Sequence, residues 1–435
     1  MLHQYKNNGY NIVLDVNSGS VHVVDELLYD AMECCEKLIG EIEAPVKLDK
    51  KIIESIRFSL KDKYSDTEIQ EAIEDIQELI DAEELFTKDT YELYINDFKE
   101  RQTVVKALCL HIAHDCNLAC KYCFAEEGEY HGRRALMSFE VGKKALDFLV
   151  ANSGNRRNLE VDFFGGEPLM NFEVVKKLVD YGNKIADEKG KNFRFTITTN
   201  GVLLSDDKID YINKNMHNVV LSLDGRKEIN DENRPLINGR GSYDLIVPKF
   251  QKLIKNRPKD KYYYVRGTFT RKNLDFSKDV MEYKDLGFAL TSIEPVVGEE
   301  ENIYAIRHED LPQILEEYEN LAKEYADMQA NKEDFKLFHF MVDLTQGPCV
   351  IKRVRGCGAG GEYLAITPTG DIYPCHQFVG NEKYKMGNLF DKNLELPQDL
   401  QTKFKNANVL TKDECKDCWA RYYCSGGCHA NAINF

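Results

Sequence analysis

Cys116-Asn117-Leu118-Ala119-Cys120-Lys121-Tyr122-Cys123 sets three thiols at spacings of four and three residues. The run directly follows an apolar, strand-like stretch, Lys106–Ile112, so it opens the loop after a first strand. From one loop, three thiolates at this spacing can converge on one metal centre. Three is the informative number. Structural zinc sites are closed by four ligands, whereas a 4Fe–4S cluster held by three cysteines keeps one iron open to an outside ligand. A zinc knuckle is the competing reading.

Working outward, residues 104–297 alternate strand and helix. Candidate strands are Lys106–Ile112, Leu159–Phe164, Phe193–Thr198, Val219–Leu223, Tyr262–Phe269 and Thr291–Val296, separated by amphipathic stretches such as Phe139–Val150 and Phe172–Ala186. Repeated β-α units imply a parallel sheet with right-handed crossovers. The expected fold class is α/β, a partial (β/α)6 TIM-like barrel with its site at the C-terminal ends of the strands. Residues 1–95 read as a small separate unit: strands at Asn11–Val16 and Val21–Val24, then helices, the clearest starting at Ser65 with Glu68 completing a capping box. That outline is winged-helix-like. Residues 298–345 read as a helical connector. Residues 346–435 are rich in Cys and Gly with little periodicity, so metal is expected to order them.

With 435 residues the chain is long enough for two to four domains. Its net charge of −16 disfavours nucleic acid, whose phosphates seek a basic face. A basic peptide is a more compatible partner. No apolar run approaches membrane-spanning length and no signal peptide precedes the first unit, so a cytoplasmic protein without a membrane partner is expected. There, thirteen cysteines point to metal rather than disulfides.

The Cys116–Cys123 spacing resembles the CxxxCxxC motif of the radical S-adenosylmethionine (SAM) superfamily, and Phe124 supplies its usual aromatic. Phe164-Gly165-Gly166-Glu167-Pro168, ending the second strand, resembles that superfamily's GGEP motif, which holds the methionine amine of SAM. Thr199-Asn200-Gly201 and Ser222-Leu223-Asp224-Gly225 look like the polar strand ends that lie near the SAM ribose and carboxylate; as residues alone they also read as simple turns. Arg234 and Arg266 are candidates for carboxylate contacts. The resemblance implies a 4Fe–4S cluster on Cys116, Cys120 and Cys123, chelated by SAM at its open iron and releasing a 5′-deoxyadenosyl radical. Phe124, Gly165, Gly166, Glu167, Asn200, Ser222 and Arg234 would line the SAM site. Beyond the cluster and SAM sites, no general base stands out.

A second group of cysteines runs Cys415-x2-Cys418-x5-Cys424-x3-Cys428, with Cys349, Cys357 and Cys375 upstream and Gly370 before Cys375. This resembles the SPASM extension of radical SAM enzymes that modify peptides and proteins. The resemblance implies two auxiliary 4Fe–4S clusters: Cys357, Cys375 and Cys428 at the first, with Cys349 a possible fourth ligand, and Cys415, Cys418 and Cys424 at the second. If Cys349 is not a ligand, the first auxiliary cluster keeps an iron for a substrate thiolate. The pattern calls for one more cysteine after Cys428, and none occurs before Phe435; the expectation is that the sequence stops short of it. A zinc ribbon is the competing reading here.

The whole runs His111–Tyr130 and Cys424–Ala432 look like those of SCIFF (six-cysteine) ranthipeptide maturases, which join a cysteine sulfur to a carbon of another residue in a ribosomally made precursor. That resemblance implies a Cys-rich precursor peptide bound through its leader by residues 1–95, a RiPP recognition element, and a low-potential electron donor. Alternatives are another SPASM activity, such as formylglycine maturation of sulfatases, and a cluster-bearing binding protein without turnover.

Overall fold

The computed structural model describes residues 1–39, 47–94, 103–130, 132–344 and 350–434. Cys349 lies outside the described residues. The chain divides into two compact units, one comprising 1–101, 342–356 and 406–428, the other 102–341, 357–405 and 429–435. Among the described residues no helix is long and apolar enough to cross a membrane.

The first unit begins with an antiparallel sheet, β1 (Leu2–Asn7), β2 (Tyr10–Asp15) and β3 (Val21–Val24), in that spatial order. β1 is absent from the sequence reading because its polar residues mask a strand. Its turn is nonetheless explicit: Asn8 and Gly9 both take positive φ, 49° and 83°, as a two-residue hairpin requires. Three helices follow, α1 (Glu26–Ile39), α2 (Lys50–Leu60) and α3 (Asp66–Asp81). The capping box forms as expected: the Ser65 side chain accepts from Glu68 N–H while the Glu68 carboxylate accepts from Ser65 N–H. One face of the sheet packs Leu2 and Val13 against Ile52, Ile56, Ile69, Ile73 and Ile76 of the helices.

The second unit is built on a sheet whose six central strands are parallel and ordered β4-β6-β7-β8-β9-β10: β4 (Ala107–His114), β6 (Asn158–Gly165), β7 (Asn192–Thr199), β8 (Asn218–Ser222), β9 (Tyr262–Phe269) and β10 (Leu290–Pro295). A two-residue β5 (Ala135–Leu136) pairs antiparallel with β4. The intervening helices are α4 (Phe139–Ala151), α5 (Phe172–Lys189), α6 (Asp206–Asn215), α7 (Lys227–Asn233), α8 (Tyr243–Lys255) and α9 (Ser277–Asp285). Alternation sets the two faces. In β7, Phe193, Phe195 and Ile197 are buried toward the helices, whereas Thr196 and Thr198 are only partly buried on the other face. Each such core side chain contributes about 2 kcal/mol by leaving water. The expected α/β class and parallel order are those observed.

Both ends of the sheet extend past the six strands. After α10 (Leu311–Ala330), β11 (Lys336–Leu337) pairs parallel with β10. On the opposite side β12 (Tyr363–Ile366) pairs parallel with β4, and β13 (Asp371–Tyr373) and β14 (Gly387–Asn388) continue antiparallel. The Cys-rich tail is therefore not irregular throughout. Four residues of strand carry no readable period, and pairing with the fully buried β4 is what makes β12 a strand.

Candidate active site

The three-cysteine loop leaves β4 at Asp115, and two glycines at the end of β6 let it lie against that strand end. Gly165 has φ +123°, and a Cβ there would stand 2.4 Å from the Ala113 carbonyl oxygen. A Cβ on Gly166 would stand 2.1 Å from the Asp115 carbonyl oxygen. Freed of side chains, the strand end donates Gly166 N–H to Ala113 O at 2.8 Å and Glu167 N–H to Asp115 O at 2.9 Å. On its other flank the loop bonds to residues 233–235: Ala119 N–H reaches Pro235 O and Lys121 N–H reaches Asn233 O, each at 2.9 Å.

Polar side chains from strand ends then fix individual loop positions. Asn200, just past β7, donates Nδ2 to Asn117 Oδ1 at 2.7 Å and lies 3.7 Å from the Cys116 sulfur. Tyr122, between the second and third thiols, donates its hydroxyl to Asp224 beyond β8 at 2.8 Å and accepts from Arg234 Nη1 at 2.9 Å. Glu167 is fully buried and accepts from Leu169 N, Thr199 Oγ1 and Asn200 N at 2.8–2.9 Å. Burial pushes its carboxyl up, against the pull of those donors. Phe124 is 46% exposed and meets Tyr130 and His376 edge-on or tilted. Ser222 ends β8 in register with Arg266 of β9. His114 bonds His111 at 3.0 Å, and burial lowers both imidazoles.

Burial pushes Cys116 up to about 12 and Cys120 to about 11, the latter opposed by the Arg234 charge. As thiols they are protonated near neutrality, so metal binding has to release their protons. Among the described residues no three His, Cys, Asp or Glu side chains gather as ligands of a single metal ion. A cuboidal cluster takes one thiolate per iron and needs no such convergence. The residues fit a cluster with a chelating outside ligand: three thiols on one loop, and two buried donors, Asn117 Nδ2 and Arg234 Nε, without a partner.

The described cysteines are all free thiols. Cys375 is buried in an apolar cluster with Cys109, Tyr130 and Phe378, against which Cys123 also packs; Cys357 is exposed in the same unit. Cys415 and Cys418 are partly buried and Cys424 and Cys428 exposed, all in the first unit.

Sequence reasoning passed over Tyr122 and placed Asp224 in a polar strand end without assigning it a partner. It also passed over Asp162. This β6 carboxylate lies on the partly exposed sheet face, accepts from Thr198 Oγ1 at 3.4 Å, and is pushed by burial up to about 7 against the Arg266 charge. The folded chain thus holds a proton between the ordinary 3.8 and about 7 that the unfolded chain releases. This contribution to stability is full below 3.8 and is lost as pH rises through 7. Asp162→Asn, which cannot ionise, is therefore expected to gain Tm over the parent increasingly from about pH 4 to about pH 7 and evenly above. Thermal unfolding across that range checks it; a pH-independent offset would refute the assignment.

Comparison with known proteins accords with this geometry. Residues 110–269 match the Radical SAM superfamily model, and residues 357–419 match SPASM, an iron–sulfur cluster-binding domain. The cysteine-type anaerobic sulfatase-maturating enzyme of Clostridium novyi is 26% identical over 332 residues, covering 73% of this chain and 86% of that protein. The structure of native anSMEcpe with bound AdoMet aligns with a TM-score of 0.62 at 21% identity, over 75% of this chain and 90% of that one. Streptococcus suis SuiB bound to precursor peptide SuiA aligns with a TM-score of 0.56 at 16% identity, over 100% of this chain and 95% of that one. At such identities the two structures establish the fold. The chain carries a radical SAM domain followed by a SPASM iron–sulfur cluster-binding domain, which together indicate a 4Fe–4S cluster with SAM and auxiliary clusters.

Proposed function

We propose that this chain installs thioether crosslinks in a ribosomally made, Cys-rich precursor peptide, joining cysteine sulfur to a carbon of another residue. One observation carries the choice among SPASM activities. An N-terminal module, a three-stranded sheet with three helices, precedes the parallel sheet in the chain, and its β3 leaves an edge where Val23 is 65% exposed. An extended leader peptide adds to such an edge through main-chain hydrogen bonds. The match of the whole chain, N-terminal module included, to SuiB, solved with a precursor peptide, supports this reading, as do the His111–Tyr130 and Cys424–Ala432 runs.

In this reading Cys116, Cys120 and Cys123 hold the SAM-binding cluster, whose reductive cleavage of SAM supplies the hydrogen-abstracting radical. Asn200 steadies the first thiol, Tyr122 and Arg234 the second, and Gly165 and Gly166 let the strand end close on the cysteine loop, with Glu167 beside them bordering the SAM space. Phe124 and Ser222 border the same space. Cys357 and Cys375 serve the first auxiliary cluster, and Cys415, Cys418 and Cys424 the second. Each crosslink would remove one hydrogen atom from carbon, one proton from sulfur and one further electron, which bound auxiliary clusters would be suited to accept; a low-potential electron donor would be the partner that supplies the SAM-binding site.

A second reading, formylglycine maturation of a sulfatase, is favoured by the similarity to sulfatase-maturating enzymes over 73% of the chain. Anaerobic turnover of the reconstituted, reduced protein with SAM separates the two. A Cys-rich precursor is expected to lose two hydrogens per crosslink, stable to thiol reductant, with 5′-deoxyadenosine formed. An aldehyde on a sulfatase peptide and no change in the precursor would favour the second reading.

A further inference from the structure

The five residues between Cys418 and Cys424 are Trp419-Ala420-Arg421-Tyr422-Tyr423, and four of their side chains end on the N-terminal module. Trp419 stacks on His3 of β1 with ring centroids 4.2 Å apart and planes within 4°. Arg421 Nη2 donates to Asn17 Oδ1 at 2.8 Å and to Asp89 Oδ2 at 3.0 Å. Tyr422 donates its hydroxyl to Asp89 Oδ2 at 2.6 Å and packs its ring 4.2 Å from that of Tyr91. Tyr423 donates to Gly19 O at 2.6 Å, in the turn before β3. Arg421 Nη1 also reaches back to Lys416 O at 2.6 Å, tying the Cys415–Cys418 interval to the same anchor.

Apolar packing repeats the pattern. Leu14 and Val16, next to the β2–β3 turn, form one buried cluster with Tyr91, Val354, Val409 and Tyr422, and Cys415 packs against it. The small sheet is thus covered by its helices on one face and by the Cys-rich segment on the other. The turn is itself pinned: Asp15 accepts from Asn17 N, Ser18 N and Thr87, so the groups that meet Arg421 and Tyr423 are held in place.

We propose that Asp89, Asn17 and Gly19 of the N-terminal module are positioning groups of the Cys415–Cys418–Cys424 centre, fixing the loop between its second and third thiols. This rests on the reading that those cysteines ligate the second auxiliary cluster. A free loop of this length has to be ordered by the metal at the expense of binding free energy. Here the module has already ordered it, and by reciprocity a filled centre stabilises the module.

The test uses the full-length holoenzyme, anaerobically reconstituted, with iron content, EPR g-values and redox potentials of each centre. Cys418→Ala identifies the second auxiliary signal by its loss, about four irons per chain. Asp89→Ala is expected to lose that same signal or shift its g-values and potential, Asp89→Glu to restore it in part, and Tyr423→Phe to move it in the same direction. The signal of the SAM-binding cluster should be unchanged in all three. If Asp89→Ala fails to fold, Tyr423→Phe and Asn17→Ala decide alone. Parent-like iron, g-values and potential in these variants, with Cys418→Ala losing its signal, would overturn the inference. Full iron retention in Cys418→Ala would instead overturn the ligand assignment on which it rests.

Discussion

Replacing Cys116 with alanine is expected to abolish 5′-deoxyadenosine formation while leaving the chain folded and its auxiliary iron bound. The side chain is partly buried on a loop, outside the apolar clusters that hold either unit together. Its removal opens no cavity in the core. What is lost is one of three thiolates on which the proposed cluster depends, and two cysteines on a single loop do not retain a cuboidal cluster against solvent. Iron should fall by about four per chain, and SAM should no longer be cleaved by dithionite-reduced protein. The same result is expected for Cys120→Ala and Cys123→Ala. Undiminished 5′-deoxyadenosine from any one of them would remove that cysteine from the ligand set.

Gly166→Ala is the second large expected loss, and it acts through backbone alone. The new methyl would sit 2.1 Å from the Asp115 carbonyl oxygen and 2.6 Å from its carbon. Both are main-chain atoms, so no rotamer change relieves the clash. Either β6 or the start of the cysteine loop has to move. Either movement breaks the bonds from Gly166 N–H to Ala113 O and from Glu167 N–H to Asp115 O. Overpacking of this kind costs about 3 kcal/mol, and here the strain falls beside Cys116. SAM affinity is expected to drop by more than about tenfold (about 1.4 kcal/mol), with a lower denaturation midpoint. Gly298→Ala is the control, since a Cβ there meets no atom within 4 Å. Equal SAM binding by Gly166→Ala and the parent would show that the strand end does not shape the site.

These two sites were legible in the linear sequence because their chemistry is local. Three thiols within eight residues, or two glycines before Glu167, imply a geometry whatever surrounds them. The parallel strands were legible for a related reason: Phe193, Phe195 and Ile197 alternate with polar residues, and that period has one structural solution. Asn8-Gly9 carried an equally local signal for the first hairpin, but the strand before it was too polar to draw attention.

Other features come from pairings between residues far apart in sequence. Tyr122 is an unremarked loop residue until Asp224, 102 positions later, and Arg234 close on its hydroxyl. Asp162 looks like any polar residue on a strand until burial in the folded sheet raises its carboxyl, against the pull of Thr198 and Arg266. Tyr363–Ile366 has no strand signature without β4 beside it. The anchoring of Tyr423 on Gly19 spans 404 residues. Spacing along the chain specifies which ligands can share a loop and which side chains share a face, because bond geometry links near neighbours. It carries no information on which distant carboxylate is brought to which loop, since that follows from packing the sheet and its helices as a whole.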